Sequence, residues 1–201
     1  MENLIQIKDL ENKFPNVIWE GRFQPIHIGH LKYMEKLLSF GNHLYIVVVA
    51  NELSSEVYKS PEELPVRFFS EEVDFHHQPE KNIFPYWLRY RMVNDAVKEF
   101  FNNTDKITIM SGRRLDLAWD LYQKVLPPER VFITPTRDSF EDTKAKAWVF
   151  LNEKNYRIDV SDLPVVSATL VRSLLEEKNI SELEKYLLPS TIQMLKQNNY
   201  L

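Results

Sequence analysis

Ten consecutive residues, Gly21-Arg22-Phe23-Gln24-Pro25-Ile26-His27-Ile28-Gly29-His30, concentrate groups able to grip and activate a phosphate. His27 and His30 are three apart at a predicted helix start, which places them near each other and near unpaired N–H groups of the first turn. Those N–H groups and the helix dipole favour an anion, and two imidazoles add donors aimed at the same place. Gly29 lets a phosphate approach the backbone, and Gly21 does the same at a strand end where a base or ribose can lie. Pro25 stiffens the turn and Arg22 carries a permanent charge. The competing reading is an ordinary helix-start pair, or half of a metal site. The metal version lacks the adjacent glutamate of an HExxH site, and no cysteine exists to complete one.

These residues need a strand before them and a helix after them. Asn16 to Glu20 is an apolar run that stops at Gly21, and Leu31, Met34, Leu37 and Leu38 recur at helical spacing up to a C-capping Gly41. His43 to Ala50 is continuously apolar, as a central parallel strand requires. The alternation then continues. Helices are expected at Trp87–Phe101, Leu115–Val125 and Asp142–Asn152, and strands at Lys106–Met110, Arg130–Thr134 and Tyr156–Val160. Two helices, Ala168–Lys178 and Ser181–Gln197, close the chain. The pattern predicts one α/β domain over residues 1–201: a Rossmann-like, doubly wound parallel sheet of about five strands with C-terminal helices. Residues 1–15 read as an added N-terminal arm or helix, and residues 51–85 as a long loop or lid. His76-His77 in that connection reads as solvated loop.

Composition excludes several classes. With 44% hydrophobic and 27% charged residues the chain is expected to be globular, and no apolar run is long enough to span a bilayer. The first residues lack the plan of a signal peptide, and the absence of cysteine suits a reducing cytosol, so a cytoplasmic location is expected. A formal charge of −4 gives no support for broad binding to nucleic acid, so phosphate recognition should be local.

A second constellation lies about 140 residues downstream, at Val166-Ser167-Ala168-Thr169-Leu170-Val171-Arg172. Ser167 or Thr169 can cap the following helix, and Arg172 comes one turn later, where a guanidinium can contact a β or γ phosphate. The first segment resembles the GRFxPxHxGH signature, and the second the ISxTxxR signature, of a nucleotidyltransferase superfamily that includes the nicotinamide mononucleotide (NMN) adenylyltransferases. The resemblance is greatest to the archaeal-type enzymes. Asn82-Ile83-Phe84 with Arg89 and Met92 is similar to their NPFxxxERxxM segment, in which the arginine contacts the triphosphate; Arg91 is a nearby competitor. Leu117-Ala118-Trp119 resembles the region holding a tryptophan that stacks on nicotinamide, the alternative being a core tryptophan on an amphipathic helix.

The resemblance implies nucleotidyl transfer from ATP, or CTP, to a small phosphorylated acceptor with release of pyrophosphate, Mg²⁺ being the cofactor. His27, His30 and Arg172 would be catalytic, and Gly21, Arg22, Phe23, Gln24, Gly29, Arg89, Val166, Ser167 and Thr169 would bind nucleotide. Arg113, Arg114 and Trp119 would bind the acceptor, and the two arginines there depart from the family's amide-recognition groups. NMN is the favoured acceptor. A cytidylyltransferase, a phosphopantetheine-type adenylyltransferase and a non-catalytic nucleotide sensor are the alternatives. A homo-oligomer is compatible with the resemblance.

Overall fold

The computed structural model describes residues 10–50 and 67–201. Five strands form one sheet: β1 (Phe14–Gly21), β2 (Gly41–Ala50), β3 (Ile107–Arg113), β4 (Val131–Pro135) and β5 (Asn155–Ile158). Every pairing is parallel and the order is β3-β2-β1-β4-β5. This is the doubly wound α/β sheet that the alternating pattern predicts. The helices are α1 (Ile28–Phe40), α2 (Arg67–His76), α3 (Tyr86–Phe100), α4 (Leu115–Tyr122), α5 (Ser139–Phe150), α6 (Ala168–Glu176), α7 (Ile180–Leu183) and α8 (Pro189–Gln197). No helix among the described residues is long and apolar enough to cross a membrane.

The period-two alternation of β1 divides the core. Val17 and Trp19 join the cluster under α1, α3, α6 and α8, whereas Ile18 joins the cluster under α2, α4 and α5. Both faces of the sheet are therefore covered, which is why its strands read as continuous apolar runs.

Four boundaries differ from expectation. Gly41 does cap α1, its N–H donating to Leu37 O, but in extended conformation, and it begins β2 directly. It is glycine for closeness: a Cβ there would lie 2.6 Å from Val17 Cγ2. Within the supposed 51–85 loop, residues 67–76 form α2, because Phe69 and Val73 bury one face of the segment while Phe68 and Phe75 stay exposed. The remainder of that loop up to residue 66, and most of the 1–15 arm, lie outside the described residues; Phe14 and Pro15 already belong to β1. The last predicted helix is broken into α7 and α8 because Pro189 can only start a helix turn.

Candidate active site

Ligands of a doubly wound sheet bind where neighbouring strands send their connections to opposite faces. In this sheet that point lies between β1 and β4. β1 pairs with β2 at seven positions, but with β4 only at Val17↔Val131 and Ile18↔Phe132. Beyond Ile18 the two strands part, and carbonyls that a ladder would occupy need other partners. Tyr33 of α1 donates its hydroxyl to Ile133 O at 3.0 Å, and Lys144 of α5 donates to Glu20 O at 3.0 Å. Side chains from both layers thus hold the crevice open at Gly21, where the first motif begins.

His27 and His30 stand at its edge. His27 is the N-cap of α1, and the two histidines form a reciprocal capping box. His30 N–H donates to His27 Nδ1 at 3.4 Å, and His27 N–H donates to His30 Nδ1 at 3.2 Å. Both Nδ1 atoms act as acceptors, so in each neutral ring Nε2 carries the proton and is the donor left for a ligand. The rings stack at 3.6 Å, and His30 also packs against Trp19 and Phe23. Gly29 keeps this stack possible, since a Cβ there would press on His27 Nδ1 at 3.1 Å. Burial, with Arg137 beside it, holds the His27 pKa down to about 3, and burial holds that of His30 well below its usual value. The pair presents neutral N–H donors. The expectation of unpaired first-turn amides is narrowed: Ile28 N–H donates to Tyr186 O at 2.8 Å and His30 N–H serves the cap.

The second motif docks on the first. Ser167 caps α6, accepting from Leu170 N–H at 3.1 Å, while Val166 N–H turns back to Pro164 O. Arg172 donates to Gln24 O at 3.0 Å and to Thr169 Oγ1 at 3.2 Å. Gln24 exchanges two hydrogen bonds with the backbone of Phe84, so the GRFQP turn is fixed from two sides. Arg22 donates to His76 O and Asn82 Oδ1. Its pKa is lowered to about 10 by burial and by the charges of Arg172 and Arg89. Three guanidiniums so crowded favour a polyanion between them. Arg89 itself is fully buried: Nε donates to Phe84 O at 3.1 Å, and Nη1 to Arg22 O at 2.6 Å and Val49 O at 2.9 Å. Its donors tie backbone together, whereas the family resemblance implies a triphosphate contact.

At the β3 edge of the sheet, beyond β2, the expected acceptor residues separate. Arg113 is exposed at the end of β3, opposite Ala50. Arg114 is buried and holds Asp116 with two bonds of 3.1 and 2.6 Å. Trp119 is only 8% exposed and packs against Tyr122, Trp148 and Arg130. In this conformation it sits in the core beneath α4 and α5, the alternative already open in the sequence.

Two features carry no sequence signature. Arg137, just after β4, lies close enough to depress both histidines; it pairs with Asp138 at 3.0 Å and Glu141 at 3.5 Å. Its place at the strand divergence follows only from the strand order. The other is the buried pair Glu20–Lys144, where burial raises the carboxyl pKa against the opposing pull of Lys144. His76 is not solvated loop either, since it ends α2 and its ring packs on Phe140 at 4.5 Å. No group of three metal-ligating side chains exists among the described residues, so they form no carboxylate cage for Mg²⁺.

The neutral histidines make an acid-stability prediction. Unfolded, His27 titrates near 6.5; folded, it is held to about 3, so below pH 6.5 the unfolded chain binds more protons. Its contribution to stability is present above pH 6.5 and is lost as pH falls towards about 3. His27→Asn keeps an N-cap acceptor without the titration. Between pH 7.5 and 4.5 its urea midpoint is therefore expected to fall less than that of the wild type; parallel falls would remove His27 from the acid response.

Comparison with known proteins is consistent with this geometry. A family model described as cytidylyltransferase-like matches residues 18–68. No curated protein matches the chain. Among solved structures, nicotinic acid mononucleotide adenylyltransferase of Plasmodium falciparum, complexed with NaAD, aligns with a TM-score of 0.54 at 19% identity, covering 92% of this chain and 97% of that one. A bifunctional NMN adenylyltransferase/ADP ribose pyrophosphatase from Francisella tularensis aligns with a TM-score of 0.53 at 16% identity over 82% of this chain. The match spans only 43% of that longer protein. The fold is shared with these enzymes, and the family-model match spans the HxGH segment at His27–His30.

Proposed function

We propose that this chain, carrying the signatures and the fold of the nucleotidyltransferase superfamily, transfers an adenylyl group from ATP to NMN or a related mononucleotide. The observation that carries the reading is the hydrogen bond from Arg172 to Gln24 O, which joins two motifs 148 residues apart into one anion-binding corner. The cytidylyltransferase-like match over 18–68 supports nucleotidyl transfer, and the shared fold with the mononucleotide adenylyltransferases supports the choice of acceptor.

The chemistry follows from what the side chains offer. An oxygen of the acceptor phosphate attacks the α-phosphorus, the bond from that phosphorus to the bridging oxygen breaks, and pyrophosphate leaves. The nucleophile is already an anion near neutral pH, so no general base is needed. The site has to position two anions and offset their repulsion. His27 and His30 donate from Nε2 to the non-bridging oxygens of the transferring phosphate, where charge develops. As neutral rings they do so without a proton-transfer step. Arg172 and Arg22 hold the leaving pyrophosphate, with Ser167 and Thr169 at its edge. Gly21, Phe23 and Gln24 shape the wall for the nucleoside, and Arg89 positions that wall from below. Mg²⁺ would be held by phosphate oxygens and water rather than by a carboxylate cage, and would supply charge neutralisation there. Arg113, Arg114 and Trp119 remain the proposed acceptor side, and Arg137 stands by the histidines.

The test is a pyrophosphate-release screen crossing ATP and CTP with NMN, nicotinate mononucleotide, phosphopantetheine and glycerol phosphate. Turnover is expected with ATP and a pyridine mononucleotide. Turnover only with CTP sinks that choice and leaves the cytidylyltransferase; nucleotide binding with no pyrophosphate from any pair leaves a sensor.

A further inference from the structure

We propose that His77 binds the acceptor: its imidazole, fixed beside Arg22, Arg89 and Arg114, donates a hydrogen bond to an anionic oxygen of the phosphorylated substrate. This rests on the transferase reading for the identity of that substrate, though not for the existence of the anion contact.

The argument begins with what holds residues 76–78. His77 N–H donates to Val73 O, closing the last turn of α2. Asn82 donates from Nδ2 to His76 O at 3.0 Å and to Gln78 O at 2.8 Å. Arg22 donates to the same His76 carbonyl. Arg89 donates in turn to Arg22 O, at 2.6 Å. Asn82 and Arg22, two residues from motif segments, therefore converge on the backbone flanking His77, with Arg89 bracing Arg22, although neither motif includes His77. A surface turn has no use for such bracing, because water would satisfy its carbonyls.

The side chain is the unexplained part. His77 Nδ1 is buried and has no hydrogen-bond partner among the described residues. A buried ring nitrogen without a partner is destabilising, and such exceptions call for a ligand or a function. The surroundings say what kind. Burial, then Arg114, Arg22 and Arg89 in that order, depress its pKa to about 2, so the ring is neutral and can offer N–H. Those guanidiniums come from the C-terminal ends of β1 and β3 and from α3, so the place they surround is the ligand side of the sheet. A group recognised there is an anion: the charges acting on the ring are positive, although Arg114 is matched by Asp116, and a neutral imidazole supplies a directional bond without adding charge of its own. In the proposed reaction the triphosphate is met by His27, His30, Arg172 and Arg22. What remains for the β3 side is the acceptor.

Two oxygens of a mononucleotide have this chemistry: those of its phosphate, and the ring carboxylate present in nicotinate mononucleotide but not in NMN. Calorimetric titration separates them. The probes are NMN, nicotinate mononucleotide and a non-hydrolysable ATP analogue, against the wild type, His77→Ala and His77→Gln. His77→Ala is expected to weaken mononucleotide binding about tenfold or more, the loss of one bond to a charged group. The analogue should change by less than about twofold, and the glutamine N–H donor should recover most of the loss. Equal losses for both mononucleotides assign the contact to the phosphate; a loss confined to nicotinate mononucleotide assigns it to the carboxylate. Unchanged mononucleotide affinity overturns the proposal, as does an equal loss for the analogue, a glutamine variant no better than alanine, or a wild type that binds neither mononucleotide. If binding depends on His77 but the wild type releases no pyrophosphate, the transferase reading falls and the His77 assignment stands.

Discussion

His30→Ala is expected to lower turnover by about 10²–10³-fold, the cost of removing one donor aimed at a developing charge. The variant should still fold, because His30 contributes only part of a capping box to α1, and loss of a cap costs about 1 kcal/mol. His30→Asn separates the two roles. Its side-chain oxygen sits where Nδ1 accepts from His27 N–H, so the cap is kept, yet its amide is too short to reach the position of Nε2. Stability near that of the wild type combined with turnover as low as for alanine would assign His30 to the reaction. Near-normal turnover by either variant removes it from that role, and the reading of the histidine pair goes with it.

Arg89→Met is expected to lower stability by about 3–5 kcal/mol, the order expected when a buried donor to three carbonyls is removed. Methionine fills a similar volume but leaves Phe84 O, Arg22 O and Val49 O without their donor. For a chain of this length that corresponds to a fall in Tm of about 6–20 °C. Arg89→Lys should recover little, since one ammonium cannot span carbonyls on three segments as the planar fork does. The family resemblance implies a different outcome: an arginine on the triphosphate predicts an unchanged Tm with a raised KM for ATP. Thermal melting beside ATP saturation decides between them.

Much of the fold was legible because apolar periodicity reports burial, and burial is what the sheet and its helices are built on. All five strands fall where apolar runs stand, and α1, α3, α5 and α6 fall within a few residues of their predicted spans. α2 was missed because its buried face amounts to Phe69 and Val73 among acidic residues, too short a stripe to read as periodic. The site divides in the same way. His27, Gly29 and His30 lie within one turn of one helix, so their mutual geometry is local and spacing reveals it. Glu20 lies in β1, Lys144 in α5, His77 just after α2 and Arg137 just after β4, and nothing in their spacing marks them.

By itself the sequence determined the chemistry on offer: a glycine-bounded turn, two histidines at a helix start, and a capped second helix bearing Arg172. It determined the layer that carries them, since strand and helix periodicity are properties of contiguous residues. Only the tertiary structure decided which groups face the ligand. The fork of Arg89 is turned onto carbonyls and Arg114 onto Asp116, because buried cations must be matched by whatever acceptors the fold brings near. The same long-range placement sets Ile28 N–H, between the two histidines, on Tyr186 O and sets Arg172 on Gln24. Those partners are separated by well over a hundred residues of chain, and only the order of the strands brings them together.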